Sequence, residues 1–402
     1  MKITVLETLF WVSAALTIYV YMGYPVLLYC FTRGKGRAPS TEEPRFPRVS
    51  LLISAYNERA VIGEKLQNAL SLDYPQACLE IIVISDCSVD GTDEIVAHFA
   101  NQGVRLVRQL ERLGKSAGLN LGVQLATGEF IVFSDANSIY RPDALRNLIR
   151  HFSDPKVGYV VGNCAYRESA GQAASAKSEG LYWRLETWLK EKESNFGSVV
   201  GGDGAIYAIR RELFTPLRAT DINDFLNPLQ IIVRGLSGVY DRTAVCYEEA
   251  GNSFEKEFRR KVRIISRSLN AVQRAPRVLL PWTHPRHWLA LISHKVLRWF
   301  VPLYLFAAFV TSLLLWQIPI YRFAAILQMG FYMLAAIGWA VESRRAAPSI
   351  VYLPYYFVLV NLASLLGVVR AWSGSLSPTW QTIREEKSLE ETSVASLAGK
   401  ET

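Results

Sequence analysis

The stretch Phe130-Ile131-Val132-Phe133-Ser134-Asp135-Ala136-Asn137-Ser138 is an apolar run of strand type that ends on an aspartate, a small spacer and a carboxamide, with Arg141-Pro142 opening a helix just beyond. In an α/β fold, side chains at the carboxyl ends of strands face the ligand crevice. Asp135 and Asn137 are two residues apart, so on extended backbone both point the same way. They can offer hard oxygen ligands to a divalent cation of the kind that accompanies a diphosphate. The same pair can instead close the strand as an Asx turn. The surrounding sequence arbitrates.

Upstream, strand and helix patterns alternate. Val49–Tyr56, Glu80–Asp86, Val104–Gln109 and Phe130–Asp135 read as strands, and Ala60–Ser71, Asp93–Asn101 and Ser116–Ala126 as the helices between them. That order predicts right-handed βαβ units and an α/β, Rossmann-like, mainly parallel sheet, whose strand ends converge on one edge. The segments after the strands are polar: Ser54-Ala55-Tyr56-Asn57-Glu58 after the first, Ser85-Asp86-Cys87-Ser88 after the second. Asp86 is placed to accept hydrogen bonds from a base or ribose. Asp90-Gly91-Thr92 serves more simply as the turn and cap of the next helix.

Gly114-Lys115-Ser116 resembles the tail of a triphosphate-binding loop, but that loop needs a glycine where Gln109 stands, so the reading fails. Lys115 at a helix start can still meet a diphosphate, or be an ordinary exposed lysine. Beyond Cys164 the alternation stops. Gln172–Glu193 reads as an amphipathic helix, Gly201-Gly202-Asp203-Gly204 allows close backbone approach before a strand, and Asp224 opens a helix either as a cap or as a carboxylate facing the crevice.

With 50% hydrophobic residues in 402, apolar sequence is left over once one core is filled. Thr8–Phe31, Trp299–Tyr321, Phe323–Val341 and Ala346–Val369 carry no charge and approach or exceed the roughly 20 residues of a spanning helix. The net charge of +8 gathers beside them: Arg33, Lys35 and Arg37 follow the first span, and Arg259, Arg260, Lys261, Arg263 and Arg267 precede the second. The positive-inside rule then puts the intervening domain in the cytoplasm and favours lipid headgroups over nucleic acid as partners. The organisation expected is an anchor (1–37), a globular domain (38–276), an interfacial helix (277–298), spans within 299–370 and a polar tail (371–402). Four crossings would leave Arg370 outside, so a re-entrant last span is one resolution. Five cysteines without a Cys-x-x-Cys indicate neither a zinc site nor a disulfide framework.

Together, Ala55-Tyr56-Asn57-Glu58, Asp86-Cys87-Ser88-Val89-Asp90-Gly91-Thr92, Gly114-Lys115-Ser116-Ala117-Gly118-Leu119-Asn120, Ser134-Asp135-Ala136-Asn137, Gly202-Asp203-Gly204 and Asn223-Asp224 resemble the family 2 inverting glycosyltransferases. The likeness is to their membrane-embedded bacterial branch, related to cellulose, hyaluronan and poly-N-acetylglucosamine synthases. The resemblance implies a GT-A fold and a UDP- or GDP-sugar donor held by Asn57, Glu58, Asp86, Lys115 and Asp135. It further implies a Mg or Mn ion on Asp135 and Asn137, with Asp224 as general base. Gly202, Asp203, Gly204 and Arg267 would stand on the acceptor side. A lipid-linked or polysaccharide acceptor at the inner (plasma) membrane follows from the same likeness.

Two departures matter. The metal motif ends in Asn137 rather than aspartate, and the Gln-x-x-Arg-Trp motif of processive synthases is reduced to Arg267 within Arg263-Ile264-Ile265-Ser266-Arg267-Ser268. Single-sugar transfer is therefore expected over polymerisation. A transporter or inactive scaffold is the reading from another class, against which the uncharged spans speak.

Overall fold

The computed structural model describes residues 2–34, 46–167, 174–249, 254–341 and 349–376. Lys35, Arg37, Arg344, Arg345, most of the expected linker and the tail beyond 376 lie outside the described residues. The chain divides into two compact units.

One unit, 46–167 with 201–249, is built on an eight-stranded sheet. Its strands are β1 (Val49–Ala55), β2 (Leu79–Ser85), β3 (Val104–Arg108), β4 (Phe130–Asp135), β5 (Ile139–Tyr140), β6 (Val157–Arg167), β7 (Tyr207–Arg210) and β8 (Ser237–Glu249), in the order β3-β2-β1-β4-β7-β6-β8-β5. The four strands expected from the alternation pair in parallel, with Val49 opposite both Leu79 and Phe130. Every residue of β1 is buried, which is why this part reads as continuous apolar runs. Beyond β4 the sheet becomes mixed: β7 runs antiparallel to β4 and to β6, β8 parallel to β6, and β5 antiparallel to β8.

Helices Arg59–Leu70, Thr92–His98 and Lys115–Leu125 connect the parallel strands. The last of these sits flush on the sheet. A Cβ at Gly118 would come within 2.7 Å of Ile84, and one at Gly122 within 2.4 Å. The glycines thus fix the height of Lys115 above the strand ends.

The second unit holds 2–34, 174–200 and the described part of 254–376. Three of its helices are long and apolar enough to cross a membrane: Thr4–Thr32, Pro319–Ala340 and Ile350–Trp372. The expected span 299–321 is divided. Val301–Leu314 is a separate helix, bent by 56° from Pro285–Trp299, and the next helix begins at Pro319. The amphipathic helix expected over 172–193 is observed as Ala174–Phe196. Its Glu186 and Glu193 are buried around His294, whose Nδ1 lies 2.7 Å from Glu193 and Nε2 3.2 Å from Glu186; Tyr24 of the first span donates to Glu193 at 2.9 Å. In the segment expected to lie in the membrane interface, His287, Ala290, Leu291, Ser293 and His294 are therefore interior, while Trp282 is exposed.

Candidate active site

The site residues gather at the carboxyl edge of β1, β2 and β4. Two residues past β1, Asn57 has φ +51°, and two past β2, Cys87 has φ +61°, both in the left-handed region that side chains other than asparagine seldom adopt. These turns are laced together. Val89 N–H donates to Asn57 Oδ1 at 3.0 Å, Glu58 N–H to Thr92 Oγ1 at 2.9 Å, and Arg59 N–H to Asp90 Oδ2 at 3.0 Å. Asp90 Oδ1 also accepts from Thr92 N–H at 3.0 Å, which closes the turn before the helix Thr92–His98, whose N-cap is Gly91. The strain persists because the surrounding bonds over-determine it.

Asp86 is buried at the end of β2. Its Oδ1 accepts from Gln109 Nε2 at 2.7 Å and from the N–H groups of Leu113 and Gly114, each at 3.0 Å. Oδ2 is buried without a partner. Burial pushes this carboxyl above the usual carboxylate range against the pull of those backbone bonds and of Arg112. Asp86 thus shapes the loop that delivers Lys115, besides offering an acceptor. The sequence reading missed Gln109 in this role; it used that residue only to reject a triphosphate loop. Arg112 stacks on Tyr56 at 3.7 Å beside this loop.

Lys115 begins its helix after Gly114, whose φ of +91° suits glycine. The helix is pinned to the chain leading to Asp224: Ser116 Oγ donates to Asp221 O at 2.8 Å, and Asn120 exchanges hydrogen bonds with Leu217 at 2.8 and 2.9 Å. Asn120 is therefore spent on backbone. The Lys115 ammonium pairs with the Asp135 carboxylate, whose side chain remains 37% exposed.

Asp224 lies in the first turn of the helix Asn223–Val233, whose N-cap is Ile222. The carboxylate leaves the helix and accepts from Gly204 N–H at 3.1 Å through Oδ2, while Oδ1 is enclosed without a partner. Gly202 N–H donates to Asp224 O; a Cβ at Gly202 would sit 2.7 Å from that oxygen, so only glycine fits. A Cβ at Gly204 would lie 3.4 Å from Asp224 Oδ2, 3.4 Å from Lys115 Nζ and 3.6 Å from Asp135 Oδ2. One point thus has three charged groups around it. Burial raises the Asp224 pKa; Lys115 opposes the rise, and Asp203 and Asp135 add to it.

Of the predicted residues, Asn57, Glu58, Asp86, Lys115, Asp135, Asn137, Gly202, Asp203, Gly204 and Asp224 belong to this unit. Arg267 is buried on the helix Phe254–Arg274 of the other.

The donor set suits a divalent cation. Asp135 and Asp203 both act electrostatically on Asp224, across a site that also holds Lys115. Among the described residues no three His, Cys, Asp or Glu side chains form a cage of their own. A magnesium-type site needs only one or two protein oxygens, because the ion shares its other positions with substrate phosphates and water.

The sequence profile of glycosyl transferase family 2 matches residues 50–217. The poly-beta-1,6-N-acetyl-D-glucosamine synthase of Staphylococcus epidermidis is 34% identical over 132 residues, 32% of this chain and 32% of that protein. The beta-monoglucosyldiacylglycerol synthase of a Nostoc species is 30% identical over 170 residues, 41% of this chain and 36% of that one. The chain therefore spans about a third of the length of these relatives. Among solved structures, mannosyltransferase PcManGT from Pyrobaculum calidifontis, in complex with GDP-Man and Mn2+, shares the fold with a TM-score of 0.67 at 24% identity, over 90% of this chain and 99% of that one.

Proposed function

We propose that the chain is a membrane-bound inverting glycosyltransferase, a reading supported by the match of the glycosyl transferase family 2 profile to residues 50–217. It would move one sugar from a UDP- or GDP-sugar to a lipid-linked oligosaccharide or another cell-envelope acceptor. The observation that carries this reading is the convergence of Lys115, Asp135 and Asp224 around Gly204.

In this reading the acceptor hydroxyl gives its proton to Asp224 as its oxygen attacks the anomeric carbon. The bond from that carbon to the diphosphate breaks on the opposite face, and the nucleoside diphosphate leaves with configuration inverted. Asp224 is a stronger base than an ordinary aspartate because burial and its acidic neighbours disfavour its charged form. The Gly204 N–H holds Oδ2 of this carboxylate at 3.1 Å, and Oδ1 has no hydrogen-bond partner among the described residues. Lys115 meets the negative charge that develops on the leaving diphosphate. Asp135 and Asn137 would hold a Mg or Mn ion, which when bound supplies further neutralisation of the diphosphate. Asp86, at the far end of the same edge, offers its buried Oδ2 to the nucleoside.

The glycan and glycolipid products in the two relatives' names support an envelope acceptor. The first of these names also keeps a processive synthase as the second reading. A panel of radiolabelled UDP- and GDP-sugars offered to membranes containing the protein tests the proposal. Labelled lipid or glycan with one donor is expected; no transfer from any donor refutes it.

A further inference from the structure

On the helix Arg59–Leu70 the buried positions are Ile62, Lys65, Leu66 and Ala69, the spacing of an apolar stripe facing a core. Lys65 stands in that stripe fully buried, where leucine or methionine would pack without a charge to desolvate. Its ammonium donates to the carbonyl of Ser138 and lies 4.0 Å from the centre of the Tyr140 ring. Burial lowers its pKa to about 8, while Cys246, Asp135 and Glu248 pull the other way.

The same helix grips the chain a second time. Asn68 Nδ2 donates to Tyr140 O at 2.8 Å, and Tyr140 N–H donates to Asn68 Oδ1 at 2.8 Å. Ser138 in turn donates its N–H to Asp135 O at 3.3 Å and its hydroxyl to Glu248. The Tyr140 hydroxyl donates to Phe133 O at 3.2 Å and Ala205 O at 3.0 Å, next to Gly204. What Lys65 and Asn68 hold across the fold is thus the segment Ser138–Tyr140 that follows Asp135 and Asn137, and Tyr140 in turn reaches the loop carrying Asp203 and Gly204.

We propose that Lys65 is a positioning residue for the donor site: from inside the core it fixes the Asp135–Ser138 turn, so that Asp135 and Asn137 are presented to a divalent cation and its diphosphate. Its ammonium also balances, from behind, carboxylates that the site brings together in front. The inference rests on the donor-site reading given above. Supporting contacts of this kind, one step behind metal ligands, are typically worth about 10- to 100-fold in metal affinity.

The test is Mn2+ binding to the purified full chain with UDP or GDP present, followed by electron paramagnetic resonance, for wild type, Lys65→Met and Leu66→Ala. Leu66→Ala opens a cavity in the same stripe and serves as the purely structural control. The expected result is Mn2+ affinity about tenfold or more weaker in Lys65→Met, with Leu66→Ala melting lower but binding as wild type. In transfer assays the apparent KM for donor should rise more than kcat falls. Should Lys65→Met not fold, Lys65→Leu removes the same ammonium and should weaken Mn2+ binding in the same direction. Wild-type affinity in a folded Lys65→Met, or in Lys65→Leu when only that variant folds, overturns the inference while leaving the donor-site reading intact. Wild-type protein that binds no Mn2+ with either nucleotide removes both.

Discussion

At the residue scale, Ile222 rather than Asp224 holds the N-cap of the Asn223–Val233 helix, and the Asp224 carboxylate turns to the Gly204 N–H instead. The competing account of Asp224 as a helix cap therefore loses its basis. A native state that raises an aspartate's pKa binds its proton more tightly than the unfolded chain does. The associated stability is present at acid pH and is lost as pH rises from the ordinary aspartate value through the raised one. At neutral pH the charged carboxylate is thus a cost. Asp224→Asn should melt no lower than wild type and bind donor normally, while transfer falls by about 10²–10⁴. In wild type, the acidic limb of kcat/KM should lie above the ordinary aspartate range, activity being lost as pH falls through the raised pKa. A variant that transfers at the wild-type rate would move the base elsewhere, with Asp203 next in line. For the cation, Asp135→Ala should abolish metal-dependent transfer in a folded protein, because it removes the partner of Lys115 and the charged ligand together. Asn137→Asp should be tolerated, since it adds charge with little change of shape. Turnover of Asp135→Ala near wild type in the presence of a chelator would end the metal assignment.

At the scale of elements, the parallel half of the sheet was legible because β1, β2 and β4 are buried along most of their length, which leaves the apolar runs Leu51–Ile53, Ile81–Ile84 and Phe130–Phe133. The long strands β6 and β8 were not read. Gly158 and Gly162 interrupt β6, and both are explained only by tertiary contacts: a Cβ would sit 2.3 Å from Ile231 in one case and 2.6 Å from Ala244 O in the other. In β8, Asp241 looks like a breaker, yet it is buried and paired with Arg150 and His151 at 2.7 Å. The site was legible where a turn follows a strand, as at Asp86 and Asp135, and illegible where a side chain acts from inside the core, as Lys65 and Gln109 do. The helix Phe254–Arg274 carries a prediction of its own. It offers Arg267 without the glutamine and tryptophan that accompany that arginine in processive synthases. Mass analysis of products made with excess donor should show one discrete, short product; a ladder of high-molecular-weight material made by this chain alone would contradict it.

At the scale of the whole molecule, the number of crossings follows from the helices. Val301–Leu314 has 14 residues, about 21 Å of helix against a hydrocarbon core of about 30 Å. The segment it bends away from contains His294, Lys295 and Arg298, all bonded to Glu186, so it adds no apolar length. We expect the bent pair to enter the bilayer without crossing, the role the sequence reading gave to the last span. Three helices then have the length and apolarity to cross: Thr4–Thr32, Pro319–Ala340 and Ile350–Trp372. On the expectation that the sheet domain is cytoplasmic, an odd number returns Arg370 to the same side. Positive charge favours this count, since Arg322 and Arg370 then lie inside and only Arg344 and Arg345 outside. The prediction is that a cysteine placed after Ser373, in an otherwise cysteine-free chain, is shielded from a membrane-impermeant thiol reagent in intact cells and labelled once they are opened. A cysteine beside Arg345 should react in intact cells. The reverse pattern would mean four crossings and would make Pro285–Leu314 a true span, with its buried histidine and glutamates inside the bilayer.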